Sequence, residues 1–297
     1  VSTLFTSALL MFVLQPLFGK LLLPLLGGTP AVWNSCMVFY QSLLFMGYLY
    51  AHVVGTRLTV RYQVIVHFIV IALSFFTLPV GLPENLMPPL DSHPTFSLAS
   101  AIGLPFFILS TTAPLMQKWF AHMEHSDSND PYFLYAASNS GSLISLLSYP
   151  FLIEPTIGLH TQQLDWSIGY LILCTLIILC GIVLWQKRQP TPVGLYYIVQ
   201  QRVEMQVGHL YAIKQSTIAE FSNEQSPPPL TWQIQCYWAT LAFVPSSLLL
   251  GLTNFISTDI AAVPLLWIIP LTVYLLSFVI VFSGLNAKSH RWFVRLQ

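Results

Sequence analysis

An all-helical bundle crossing a lipid bilayer about eight times is the fold this sequence predicts, and three observations predict it. Of the 297 residues, 55% are hydrophobic and only 7% charged. That is far below the roughly 25% charged fraction of a soluble domain, so a water-facing surface cannot be assembled from these residues. Eight stretches reach the about 20 largely apolar residues that a hydrocarbon layer of roughly 30 Å demands. Finally, ten of the eleven Lys and Arg residues fall in alternate loops, the sorting that marks the cytoplasmic face of a membrane protein.

The first span, Leu4 to Leu26, is apolar but for Gln15, Lys20 and two prolines, Pro16 and Pro24; "GGTP" turns it back. The second, Ala31 to Val54, carries Asn34 and Gln41 on one side and ends in "GTRLTVR". The third runs from Val60 to Val80 and leads into "GLPENLMPPLDSHPT", dense in the Pro, Gly and Asp of turns. The fourth, Leu98 to Phe120, contains Pro105 and Pro114, and the polar "HMEHSDSND" closes it. The fifth, Tyr132 to Ile153, and the sixth, Trp166 to Trp185, are joined by "EPTIGLHTQQLD". Connections this short make consecutive helices antiparallel neighbours.

One long connection, residues 186 to 235, separates a six-helix bundle over 1 to 185 from two further helices in 236 to 297. Val199, Val203, Val207, Leu210 and Ile213 recur in it at helical steps among polar residues, predicting an amphipathic helix. "SPPPLTW" is a stiff lead into the seventh span, Tyr237 to Ile256, and the eighth runs from Ile260 to Phe282.

Arg57, Arg61, Lys118, Lys187, Arg188, Arg202, Lys214, Lys288, Arg291 and Arg295 share one side, whereas the opposite loops hold Glu84, Asp91, Glu154, Asp165 and Asp259 and no base. Both ends and the long connection are therefore expected in the cytoplasm. No basic segment or small-residue cleavage site flanks the first span, so a cleavable signal is not expected. A formal net charge of zero offers nucleic acid nothing to bind.

Lys20 is the residue that calls for an explanation. The middle of its span is near Gln15, which puts the ammonium about 7 Å towards the outer face. A charge at that depth costs a few kcal/mol unless it snorkels, faces water or finds a partner. Asp259, opening the eighth span, and Glu154, closing the fifth, are the candidate partners, either in a structural pair or in a substrate or proton site. Around Asp259 the stretch "GLTNFISTDIAAVP" gathers Thr253, Asn254, Ser257 and Thr258. Helix capping accounts for it, and a binding role requires that it share a cavity with Lys20.

In "ILSTTAPLMQKW", Pro114 frees a carbonyl that the hydroxyls of Ser110, Thr111 and Thr112 can satisfy, either as a plain kink or as a transporter-type break. In "YAASNSGSLISLLSYP", Ser138, Gly141, Ser142, Ser145 and Ser148 form a small-residue face for close helix packing. Asn139 is the candidate there for a polar contact in a central cavity, as are Asn34 and Gln41.

The eight histidines are read as scattered over loops and helix ends, with His122 and His125 three apart but lacking a cysteine, so neither a metal nor a cofactor is expected. Cys36, Cys174, Cys180 and Cys236 lack zinc spacing and are expected to be buried free thiols. No phosphate-binding glycine loop, dinucleotide fingerprint or nucleophile motif occurs. Soluble catalysis is therefore not expected to reside in these residues.

Four stretches, "LLPLLGGTPAVWNSCMVFYQSLLFMGYLYAH", "STTAPLMQKWF", "DPYFLYAASNSGSLISLLSYPFLIEP" and "LAFVPSSLLLGLTNFISTDIAAVPLLWIIPLTVYLLSF", resemble the membrane half of the bacterial fused major-facilitator/spermidine-synthase proteins. The resemblance implies a truncated major-facilitator-like fold in a bacterial inner membrane. It also implies a partner module similar to aminopropyltransferases, whose glycine-rich loop and catalytic acids are absent from these residues. A faint correspondence between "FVLQPLFGKLLLPLLGGTPAVW" and "FVPSSLLLGLTNFISTDIAAVPLLW" fits the repeat that such a fold implies. Three functions follow as expectations: a membrane domain serving a spermidine-synthase-like module, an autonomous secondary transporter of an anionic or zwitterionic solute, or a structural anchor.

Overall fold

The computed structural model describes residues 1–26, 30–81, 94–121, 133–186, 231–255 and 268–282, and all regular structure among them is helical. α1 is Ser2–Leu26, α2 Pro30–Arg57 and α3 Val60–Ser74, which tightens into a 3-10 turn at Phe75–Thr77. α4 is Pro94–Ala121 and α5 Phe133–Ser148; α5 continues through a wider π turn, Tyr149–Ile153, and a short α turn, Glu154–Thr156. α6 is Leu159–Gln186, α7 Trp232–Phe255 and α8 Ile268–Phe282.

Six of these helices are long and apolar enough to cross a membrane: α1, α2, α3 with its 3-10 turn, α4, α6 and α7. The chain is, on that ground, a multi-pass helical membrane protein. The fifth expected span is helical, yet regular for only sixteen residues. Pro150 has no N–H for the i→i−4 ladder, and around it the winding loosens until the Glu154 N–H reaches back to the Tyr149 carbonyl. α8 is short of a full crossing in its described part, since residues 260–267, where the expected span begins, lie outside the described residues. So does the amphipathic helix expected between 199 and 213. α6 starts seven residues before the expected Trp166, because hydropathy marks where a helix meets lipid, whereas its first polar turns, with His160, Gln162 and Gln163, extend beyond that depth.

By internal contacts the chain divides into two units, Val1–Gln186 with Leu249–Gln297, and Lys187–Leu248. The described part of the second unit is residues 231–248, the beginning of α7. Its exposed surface is largely apolar, with Trp232, Tyr237, Trp238, Leu241, Phe243 and Leu248 all exposed, beside a few polar residues such as Gln233 and Thr240. A helix of that kind suits a lipid surround rather than water.

In the first unit α1 packs most extensively on α5, α2 on α4, and α8 on α5; α1 also meets α4 and α6, and α3 meets both α4 and α6. The core is filled by Leu14, Leu17 and Phe18 of α1, Ile102, Phe106 and Leu109 of α4, and Leu173 and Ile177 of α6. A smaller cluster of Trp33, Leu146, Ile268 and Leu275 seats α8. Outward faces are apolar too: α6 exposes Ile168, Leu171, Ile172, Leu179 and Val183 opposite its buried stripe.

With lipid on the outside, burial of apolar area gives helices little reason to associate, so close packing and interhelical hydrogen bonds must hold them. Both are present. A Cβ at Gly141 would run into the Phe5 carbonyl of α1, and one at Gly47 would overlap Ser110 of α4, so these two glycines let α5 and α2 approach their partners at backbone distance. Trp166 Nε1 donates to the Leu10 carbonyl at 2.8 Å, Ser7 Oγ to the Leu109 carbonyl at 3.2 Å, and the hydroxyls of Ser74 and Tyr170 meet at 2.6 Å. Together these bonds cross-link α1 to α6, α1 to α4, and α3 to α6.

Candidate functional site

Lys20 lies on α1 with Pro16 and Pro24 four residues to either side. Pro24 has no N–H to offer the Lys20 carbonyl, so the helix is weakened where the charge emerges. Glu154 is delivered by the opposite irregularity, the π turn at the end of α5. Lys20 Nζ donates to Glu154 Oε1 in an ion pair, with the side chains 42% and 23% exposed respectively. The second carboxylate oxygen, Glu154 Oε2, is buried and has no hydrogen-bond partner among the described residues. Beside the pair, Tyr149 Oη donates to Gln162 Oε1 at 3.2 Å and Gln162 Nε2 donates to the Ile157 carbonyl at 2.7 Å, fixing the turn from α5 into α6. Chemically this is a carboxylate with one oxygen engaged and one able to take a proton, set against an ammonium that a second anion could claim.

Of the other expected site residues, none whose side chain is described joins this pair. Gln15 is half-buried one turn below Lys20, and it is its backbone carbonyl that meets α2, accepting from Tyr40 Oη at 3.5 Å. Asn139 turns its amide back onto its own helix, Nδ2 donating to the Tyr135 carbonyl at 2.8 Å. Asn34 and Gln41 are exposed on α2. Asn254 belongs to α7, but its side chain, like the whole of Asp259, lies outside the described residues, as do His122 and His125.

Two local expectations are corrected. The hydroxyls beside Pro114 do not satisfy the Ser110 carbonyl that it frees. Thr111 and Thr112 both donate to the Ile108 carbonyl, at 2.8 and 2.7 Å, and Ser110 donates to the carbonyls of Phe107 and Leu43, at 2.7 and 3.3 Å. Each of the three hydroxyls bonds back to the turn preceding it, as short hydroxyl side chains in a helix commonly do, and Ser110 also reaches α2. The four cysteines are free, and Cys36 and Cys174 are buried, but Cys180 is half-buried and Cys236 exposed on α7.

His67 was the polar residue the sequence reading passed over, since it was grouped with loop histidines although it sits inside the third span. It is completely buried on α3. Its Nδ1 is 3.4 Å from Tyr50 Oη, its ring stands at 89° to that of Trp119, and its Nε2 has no hydrogen-bond partner among the described residues. One turn earlier on α3, Gln63 accepts from Trp119 Nε1 at 3.1 Å and donates to the Leu58 carbonyl at 2.9 Å. The signal that could have found it was a histidine within the apolar run "VIVHFIVIAL".

Two cavities bracket the first unit. One of about 240 Å³ is walled by apolar side chains of α1, α4, α5 and α6 with Thr3 and Cys180, whose hydroxyl and thiol are 3.6 Å apart. The other, of about 480 Å³, lies between the end of α3 and the beginnings of α4 and α6. Among the described residues no cluster of three or more His, Cys, Asp or Glu could hold a metal ion. No family model, curated protein or solved structure matches this chain.

Proposed function

We propose that the chain is a transporter-type membrane domain of major-facilitator-like arrangement, similar to the membrane half of the fused major-facilitator/spermidine-synthase proteins. The observation that carries this reading is the way its helices pair. Exchanging α1, α2 and α3 with α4, α5 and α6 turns the α1–α5 contact into α4–α2 and the α1–α6 contact into α4–α3, while α1–α4 and α3–α6 map onto themselves. All of these contacts occur, while the smaller α1–α2, α2–α3 and α4–α6 contacts lack an equally extensive counterpart. Such an exchange is what a three-plus-three inverted repeat produces, the unit nested in each half of a major facilitator. α1 and α4, which exchange, are also the two helices with paired internal prolines. In this arrangement both termini and the long connection face the cytoplasm, where a spermidine-synthase-like module would stand.

The Lys20–Glu154 pair favours a second reading, an autonomous carrier of an anionic or zwitterionic solute. A proton on the unpartnered Glu154 oxygen cancels the carboxylate charge and releases the Lys20 ammonium to a solute carboxylate. A polyamine, being cationic, gains nothing from that ammonium.

The discriminating experiment is uptake into proteoliposomes of labelled glutamate and labelled spermidine under an imposed proton gradient, by the native chain and by Lys20→Ala and Glu154→Gln. Glutamate uptake abolished by Lys20→Ala supports the carrier. Spermidine uptake, or a Rossmann-like reading frame continuing past Gln297, supports the polyamine-linked domain. Flux of neither solute, with no such frame, leaves the anchor.

A further inference from the structure

The 480 Å³ cavity takes no part in the function proposed above. Its size falls within the roughly 300–1,000 Å³ of small-molecule pockets. It opens at the end of α3 opposite the Arg57 and Arg61 loop, and its floor is the extended segment that leaves the 3-10 turn. That floor is pinned to α6, because the buried Val80 N–H donates to Ser167 Oγ at 3.1 Å and Ser167 Oγ in turn donates to the Gln163 carbonyl at 2.7 Å.

Two polar side chains on its wall are unused. His160 and Gln163 are three apart at the start of α6, which places them on one helix face, and both line the cavity without a hydrogen-bond partner among the described residues. Together they present an imidazole and a carboxamide, the latter offering two donors and an acceptor. Across from them, Thr77 Oγ1 and Ser100 Oγ have given their hydrogens to the Ser74 and Ser97 carbonyls, at 2.7 and 3.0 Å, which leaves their lone pairs as acceptors. Phe76 stands at the rim, 87% exposed. Among the described residues that line it, none is Lys, Arg, Asp or Glu.

A wall whose described residues offer amide, imidazole and hydroxyl groups, one aromatic ring and no formal carboxylate or ammonium suits a ligand that both donates and accepts at many points and needs no charge of its own. We propose that this cavity binds a small neutral polyhydroxylated solute, a polyol or a monosaccharide. Adjacent hydroxyls of the solute span Gln163 and His160, further hydroxyls donate to Thr77 and Ser100, and a C–H face lies on the negative face of the Phe76 ring.

The test is saturation-transfer NMR on the full chain in nanodiscs, with myo-inositol and D-glucose as probes and sodium glutamate as the charged competitor. Saturable transfer to at least one polyol is expected, weakened about tenfold by Gln163→Ala and by His160→Ala, the loss of a ligand hydrogen bond in each case, and unchanged in Lys20→Ala. His160 is exposed, so its variant carries the test should the Gln163 variant fail to fold. Transfer to neither polyol, binding indifferent to both wall substitutions, or glutamate binding more tightly than either polyol would each overturn the proposal. The Lys20→Ala arm keeps this outcome separate from the fate of the transporter reading.

Discussion

At the scale of single residues, the Lys20–Glu154 pair makes a prediction about coupling. Removing either partner leaves the other charge facing a poorer environment, while removing both relieves it. In a thermal-unfolding double-mutant cycle in detergent, Lys20→Ala and Glu154→Gln should each destabilise, and the double variant should lose less than their sum. The coupling energy should be about 1 kcal/mol or less, because a pair whose lysine is 42% exposed is discounted as a surface pair. Full additivity would show that the pair contributes nothing. A larger loss belongs to His67, which is wholly buried. His67→Ala opens a cavity against Trp119 and strands the Tyr50 hydroxyl, for an expected cost of about 2–4 kcal/mol. His67→Phe should cost less, since a ring is kept against Trp119; equal melting temperatures for the two variants would contradict this. The sequence exposed Lys20 at once, because an ammonium within an apolar run is conspicuous. It did not choose between Glu154 and Asp259, because reaching either depends on which helix lies beside α1.

Among the elements, the small-residue face of α5 was legible as a packing surface, and the structure sets it against α1. Gly141→Ala drives a methyl group at the Phe5 backbone carbonyl, which a side-chain rotation cannot relieve, so destabilisation of about 1–3 kcal/mol is expected. Gly103→Ala is the contrast, as a Cβ there meets nothing within 4 Å. It should be neutral or stabilise by up to about 1 kcal/mol through helix propensity alone. Opposite signs in detergent melting would establish close approach, rather than the mere presence of glycine, as what α5 requires. What sequence patterning missed at this scale was the π turn. Pro150 and Pro155 stand in that stretch, but whether a helix kinks, ends or widens there depends on the groups waiting to bond with it, here the Tyr149 carbonyl and the Glu154 amide.

For the whole molecule, the distribution of basic residues predicts opposite sides for Gly28 and Arg188. Single cysteines introduced after each, in a background lacking the four native thiols, should be labelled by an impermeant maleimide on intact cells at the first position alone. Labelling of both, or of neither until lysis at both, would remove the orientation and with it the major-facilitator reading. The proposed repeat makes a further demand: if α1 and α4 exchange roles in a transporter, Pro16→Ala and Pro114→Ala should both slow uptake of the solute found in proteoliposomes, while leaving the helical content measured by circular dichroism unchanged.

The sequence by itself determined that this chain belongs in a bilayer, approximately where its helices run and which loops carry the positive charge, because hydrophobic length and charge sorting are properties of a segment and its solvent. Only the tertiary structure decided that Glu154 reaches Lys20, that His67 is sealed beneath Trp119, that the hydroxyls near Pro114 bond backwards, and that His160 and Gln163 overlook a polar cavity. Those outcomes depend on helices far apart in the chain lying side by side. Lipid, which treats every apolar face alike, leaves that choice to close glycine contacts and a few buried hydrogen bonds that no local pattern encodes.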